Sequence, residues 1–166
     1  MFAGLGSGGQ IKKWGLINGN VAGEYWVGGL VGSNSGTSSY CYIMGLVSGK
    51  ATIGGIAGIQ GPEGRISNCY YSGMVCGPTN TGTTCDTGGL VGHNYGIISD
   101  CYTNGLVCGG NAIGGLVGSH YSEGAIVNSY STCVIRGVSN TGGFIAKNFG
   151  GSVTSCFWDT QNSGQT

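Results

Sequence analysis

Charge is nearly absent from this chain. Six Lys or Arg and six Asp or Glu among 166 residues make 7%, and they cancel; an ordinary globular domain has about 25%. No basic stripe exists that could release counterions, which argues against nucleic acid as a partner. A surface so poor in charge has little colloidal repulsion, which favours self-association. Long apolar runs are also missing. None approaches the roughly 20 residues of a membrane span, so no membrane insertion is expected, and Met1 to Gln10 lacks the regions of a signal peptide. The eight cysteines show no CxxC or Cys/His zinc spacing, so neither a metal nor a cofactor is expected. Eight are too many for a reducing cytosol, and an oxidising compartment follows.

What the chain has is glycine and a repeat. Glycine is 38 of 166 residues, about three times the usual share of roughly 7%. Paired glycines open at Gly28, Gly54, Gly88, Gly114 and Gly142, giving periods of 26, 34, 26 and 28 residues. Two positions on stand Leu30, Ile56, Leu90, Leu116 and Phe144. Six positions on stand Asn34, Gln60, Asn94, His120 and Asn148, a polar row whose members can hydrogen-bond to one another. Further on come Cys41-Tyr42, Cys69-Tyr70, Cys101-Tyr102, Ser129-Tyr130 and Cys156-Phe157. A glycine-rich unit of this length cannot hold two helices but fits strands of four to six residues, and each unit buries its thin apolar row only by stacking on the next. The expected fold is all-β: a parallel β-solenoid of about six coils (1–27, 28–53, 54–87, 88–113, 114–141 and 142–166), with strands roughly 4.8 Å apart. Within each burst, neighbours such as Leu90 and Val91 are expected on opposite faces of a strand. Ile98 and Cys101 both face inward only if the chain bends at Ser99-Asp100.

The unit GGLVGxNxG followed by CYxxGxV resembles the GLUG motif, a short repeat of bacterial and archaeal surface and secreted proteins, including adhesin-like proteins and immunoglobulin-A peptidases. The resemblance is close from Gly28 to Thr160 and looser before it. Cys156 to Gln165, CFWDTQNSGQ, resembles the variant that ends such arrays. It implies an extracellular or cell-surface β-solenoid with a scaffold or adhesive role, and it carries over no catalytic residue. Phe2-Ala3-Gly4 aligns with Leu30-Val31-Gly32, so the chain is expected to open partway through a coil and to belong to a larger chain or an assembly.

Eight cysteines allow 105 pairings, which the repeat narrows. Cys76 and Cys108 occupy equivalent places on adjacent coils, a spacing that a disulfide accepts. Cys76 with Cys85 would instead close the inserted loop CGPTNTGTTC. Cys41, Cys69, Cys101 and Cys156 fit a buried row of free thiols equally well. Trp14, Trp26 and Trp158 all belong to the first or last coil, where they would close the core or meet a neighbour. No stretch resembles a capping helix.

Candidates for chemistry are few. Glu63 and Glu123 share a place two coils apart, roughly 10 Å, which is wide for a cooperating carboxylate pair. His93 and His120 should point to opposite faces, so no shared metal is expected. The row Tyr42, Tyr70, Tyr102, Tyr130 and Phe157 is either a stacking ladder or a sugar-binding face. No residue is assigned a catalytic role. The leading expectation is a non-enzymatic structural module of an extracellular surface protein or filament, self-associating through its ends or a low-charge face. A carbohydrate-binding adhesin module is second, using the tyrosine row or the Cys76 to Cys85 loop on surface glycans, and a glycan-cleaving β-helix enzyme is third.

Overall fold

The computed structural model describes residues 1–80 and 85–165. Among them the chain winds as a parallel β-solenoid with four sheets, each strand pairing with its equivalents one coil before and after. The first sheet runs from Phe2–Leu5 through Val31–Asn34 to Ile145–Phe149, and the second from Gln10–Lys12 to Ser152–Thr154. The third contains Tyr42–Ser48, Tyr70–Cys76 and Tyr102–Cys108, and the fourth contains Tyr25–Gly28 to Ser139–Gly142. Among the described residues five turns contribute a strand to all four sheets, and the sixth to three only.

Corners decide the register. The expected opposition of Leu90 and Val91 does not occur: both are fully buried. The fourth-sheet strand Thr87–Gly88 ends before them and the first-sheet strand Val91–Asn94 begins at Val91, so the corner falls between the two side chains and turns both inward. The glycine pair allows this corner, because a Cβ on Gly88 would stand 2.0 Å from the Val91 carbonyl oxygen. At the next corner Ile98 and Cys101 are both buried, with the bend at Asp100. Lys13, Tyr40, Asn68, Asp100, Asn128 and Ser155 form a row of left-handed residues, φ 48–55°, and Asn or Asp tolerates that conformation best.

A third constraint lies inside the third sheet. Gly45, Gly73 and Gly105 stand in register at φ 144°, 149° and 124°. A Cβ on each would come within 2.0–2.1 Å of the carbonyl oxygen of the glycine one coil earlier. In the fifth coil Cys133 falls between strands Tyr130–Ser131 and Val134–Arg136, which pair with the single strand Tyr102–Cys108. A side chain cannot occupy the glycine conformation, and the strand breaks there.

The first coil departs from its expected alignment by one residue. Phe2 pairs with Val31, Gly4 with Ser33 and Leu5 with Asn34, so Leu5 occupies the polar row. At the other end, where no capping helix was expected, a single turn of helix, Thr160–Ser163, follows the last strand. Asp159 caps it by accepting from the backbone N–H of Gln161 (2.9 Å) and Asn162 (3.1 Å), and Gly164 ends it at φ 65°. Asp at the fourth position of CFWDTQNSG and Gly five further on are the sequence signals for those caps.

Candidate functional surface

The inward polar row is two pairs and an end residue. Asn34 Nδ2 donates to Gln60 Oε1 (2.9 Å), and Gln60 Nε2 turns to the Ile97 carbonyl (2.8 Å). Asn94 Nδ2 and His120 Nδ1 are 3.1 Å apart, and His120 Nε2 reaches the Ser152 carbonyl (3.2 Å). For both bonds to form, Nδ1 accepts and Nε2 donates, which fixes a neutral imidazole. Burial depresses the His120 pKa below its ordinary value and acts in the same direction. Asn148 bonds locally to Gly150 and Gly151. Among the described residues the Asn34 Oδ1 atom is buried without a partner, because its neighbour in the row is Leu5.

The cysteine row is a coil-to-coil stitch. Each thiol lies 3.1–3.2 Å from the carbonyl two residues earlier. The Cys69 sulfur also accepts from the Cys41 N–H at 3.3 Å. Ser129 serves the same way, donating to the Val127 carbonyl (2.8 Å) and accepting from the Cys101 N–H (3.1 Å). The hydrogen bond with Cys101 leads the causes that push the Cys69 thiol up to about 12, and burial raises Cys85 and Cys133. These thiols stay protonated and are poor nucleophiles. Cys76 and Cys108, in register on adjacent coils, form a disulfide, and Cys85 is a free buried thiol. Of the inserted loop, residues 81–84 lie outside the described residues.

On the outer surface the rings of Tyr42, Tyr70, Tyr102, Tyr130 and Phe157 are 4.9–5.3 Å apart and within 9° of parallel. Their faces are therefore occupied by one another, except at the ends of the row. Tyr42 lies over Gly15, where a Cβ would come 2.2 Å from the ring, and Phe157 is 61% exposed. Of the tryptophans, Trp14 packs against the core and edge-on to Phe2 (6.3 Å). Trp158 lies across Gly143 with its indole N–H toward the Gln165 carbonyl (3.4 Å). Trp26 projects outward, 56% exposed beside Tyr25 at 70%. An open cleft marks each end. One of about 400 Å³ is lined by Phe144, Trp158 and Gln165, and one of about 220 Å³ by Phe2, Tyr25 and Trp26.

A cluster that the spacing did not announce lies on the first sheet. His93, Ser119 and Lys147 are in register on three successive coils, and all three meet Asp86. His93 Nε2 lies 2.6 Å from Asp86 Oδ2, the Ser119 hydroxyl donates to the same oxygen at 2.7 Å, and Lys147 Nζ lies 3.4 Å from Oδ1. Burial works against ionisation of Asp86, but the hydrogen bonds from His93 and Ser119 and the nearby positive charges outweigh it and hold the carboxyl below its usual value. Ser119 donates to the carboxylate and not to His93, so the order differs from a nucleophile activated by its base. Asp86 ties three coils together. His120, in register with Asn94, faces inward, away from this group. Glu63 accepts from Ser7 (2.5 Å) and Glu123 from Ser122 (3.1 Å), each held by its own neighbour.

Fold and surface define a β-solenoid repeat protein whose side chains act mainly on the coils beside them. The chain is 30% identical over 176 aligned residues to halomucin of Haloquadratum walsbyi, an alignment that covers all of this chain and 2% of that protein. No family model matches it, and no solved structure does. Solenoid and similarity together fit a repeat protein of the surface type. Among the described residues no helix is long and apolar enough to cross a membrane.

Proposed function

We propose that the chain is a non-enzymatic structural module of an extracellular surface protein, related to GLUG-repeat proteins, which associates with further coils or copies through its ends. The observation that carries this reading is the closed tyrosine row. Ring faces that would receive a sugar are spent on neighbouring rings, so the row stiffens the solenoid. Support for association comes from the edge strands Phe2–Leu5 and Ile145–Phe149, which are parallel and differ in kind. Contact between them is head-to-tail and propagates, with almost no net repulsion to oppose it. The similarity to halomucin supports placement in a large surface protein.

Electron microscopy of the purified chain, followed by Tyr102→Ala, tests the proposal. Rows of coils along one axis, together with a lower unfolding temperature for Tyr102→Ala, are expected. Glycan binding that Tyr102→Ala abolishes while the fold stays intact would favour an adhesin module instead. Polysaccharide turnover lost in Glu63→Ala would overturn both.

A further inference from the structure

Beside the tyrosine row read from the repeat, the fold assembles a second one. Tyr95, Tyr121 and Phe149 come from three successive coils, and the Tyr95 and Tyr121 rings lie 4.1 Å apart and 9° from parallel, with Phe149 5.2 Å further on. That first spacing is shorter than any in the Tyr42 row and shorter than the range of about 4.5–7 Å usual for aromatic pairs. Near-parallel rings this close hold the two phenols face to face. The Cε carbons, ortho to the hydroxyl, carry much of the unpaired spin of a tyrosyl radical.

We propose that Tyr95 and Tyr121 are a site of oxidative tyrosine–tyrosine cross-linking, which staples the fourth coil to the fifth. An external one-electron oxidant, such as the oxidised haem of a peroxidase or a photo-oxidised metal complex, removes one electron from each phenol, and each hydroxyl proton goes to solvent. The two radicals couple in a Cε–Cε bond. Each joined carbon then gives up its hydrogen to restore its own phenol, so the dityrosine has lost two electrons and two protons in all, and two equivalents of oxidant are reduced. The chain already contains one cross-link of the same logic: Cys76–Cys108 joins residues in register on the third and fourth coils. It reaches no further, because Arg136 is the residue in register with Cys108 on the fifth coil. Tyr25 and Tyr40 are the most exposed tyrosines, 70% and 53%, but neither has a stacked ring partner among the described residues. Coupling controlled by exposure would select them, whereas coupling controlled by stacking selects Tyr95 and Tyr121.

The intact chain is exposed to photo-oxidised tris(bipyridyl)ruthenium with persulfate, and monomer mass, dityrosine fluorescence and cross-linked peptides are followed. The expected product is a monomer lighter by two hydrogen atoms, with Tyr95–Tyr121 as the main linkage and a higher unfolding temperature. Tyr121→Phe, or independently Tyr95→Phe, keeps a ring in the stack and should remove that linkage while circular dichroism is unchanged. Three results would overturn the proposal: no dityrosine, chains joined through Tyr25 or Tyr40 only, or a Tyr70–Tyr102 linkage formed in place of Tyr95–Tyr121.

Discussion

The middle coils and the first coil are built from the same sentence but obey it to different degrees. From Gly29 to Gly114 each row keeps its type: glycine at 45, 73 and 105, cysteine at 41, 69 and 101, and Asn or Gln at 34, 60 and 94. In the first coil Leu5 stands in the polar row and Trp14 in the cysteine row. The strand Gly15–Ala22 bulges between Leu16 and Gly19, with Asn18 at φ 56° and Ile17 turned out to solvent. A residue in a middle coil is constrained by backbone on both sides, and one in the end coil on one side. In this structure the repeat is held most strictly where coils pack on both sides.

Glycine substitution breaks that comparison most directly. Alanine at Gly73 requires a residue other than glycine at φ 149° and a Cβ 2.0 Å from the Gly45 carbonyl oxygen, which is itself held in the ladder. Strain and clash together should cost more than about 3 kcal/mol. Alanine at Gly19, the equivalent place in the first coil, would meet the Leu16 side chain first, at 2.4 Å from Cδ2. A leucine in an end coil can turn aside, so the change should stay within about 1 kcal/mol. Urea unfolding of both variants measures the difference, and equal losses would mean that the two places are equally constrained.

Cysteine offers a second and smaller contrast. Replacing Cys76 and Cys108 together by Ser removes a cross-link between residues 32 apart and should cost about 2–4 kcal/mol. Replacing Cys101 by Ser should cost under about 1 kcal/mol, because one coil on Ser129 already makes the hydrogen bond to the carbonyl two residues earlier that the Cys101 thiol makes. Denaturation under oxidising conditions compares the two. A large loss in Cys101→Ser would show that the thiol row depends on sulfur packing more than on its hydrogen bonds.

The rows that repeat were legible in the sequence because each position has a fixed offset from the glycine pair. That offset gave the fold and the members of the tyrosine, cysteine and polar rows. Two things escaped it. Leu90 and Val91 were assigned to one strand because a pattern of alternation does not reveal where a corner falls. The Asp86 cluster was missed because it is not a row: Asp86 lies just before the fourth-sheet strand Thr87–Gly88, while His93, Ser119 and Lys147 belong to the first sheet on three coils. Tyr95, Tyr121 and Phe149 do share a register. The first two coils have Gly6 and Ser35 near that place and the third has Gly61, so no column ran the length of the array to draw attention to them.

The smallest expected effect concerns His120, which occupies a place filled by Asn or Gln in the three coils before it. The folded state holds this imidazole neutral, with its pKa depressed by burial, whereas in the unfolded chain it titrates near the usual value of about 6.5. Below that value the unfolded chain binds a proton that the folded chain resists. The stability due to a neutral His120 is therefore complete above about pH 6.5 and declines as the pH falls from there toward the depressed folded value. Asp86 also loses its contribution on acidification, but only below the usual carboxylate value of about 3.9, so the two windows are separate. His120→Asn restores the side chain found at Asn34 and Asn94 and should flatten the upper window while leaving the lower one. Unfolding temperatures recorded from pH 8 to 5 for both chains test this; an unchanged decline in His120→Asn would place the sensitive group elsewhere.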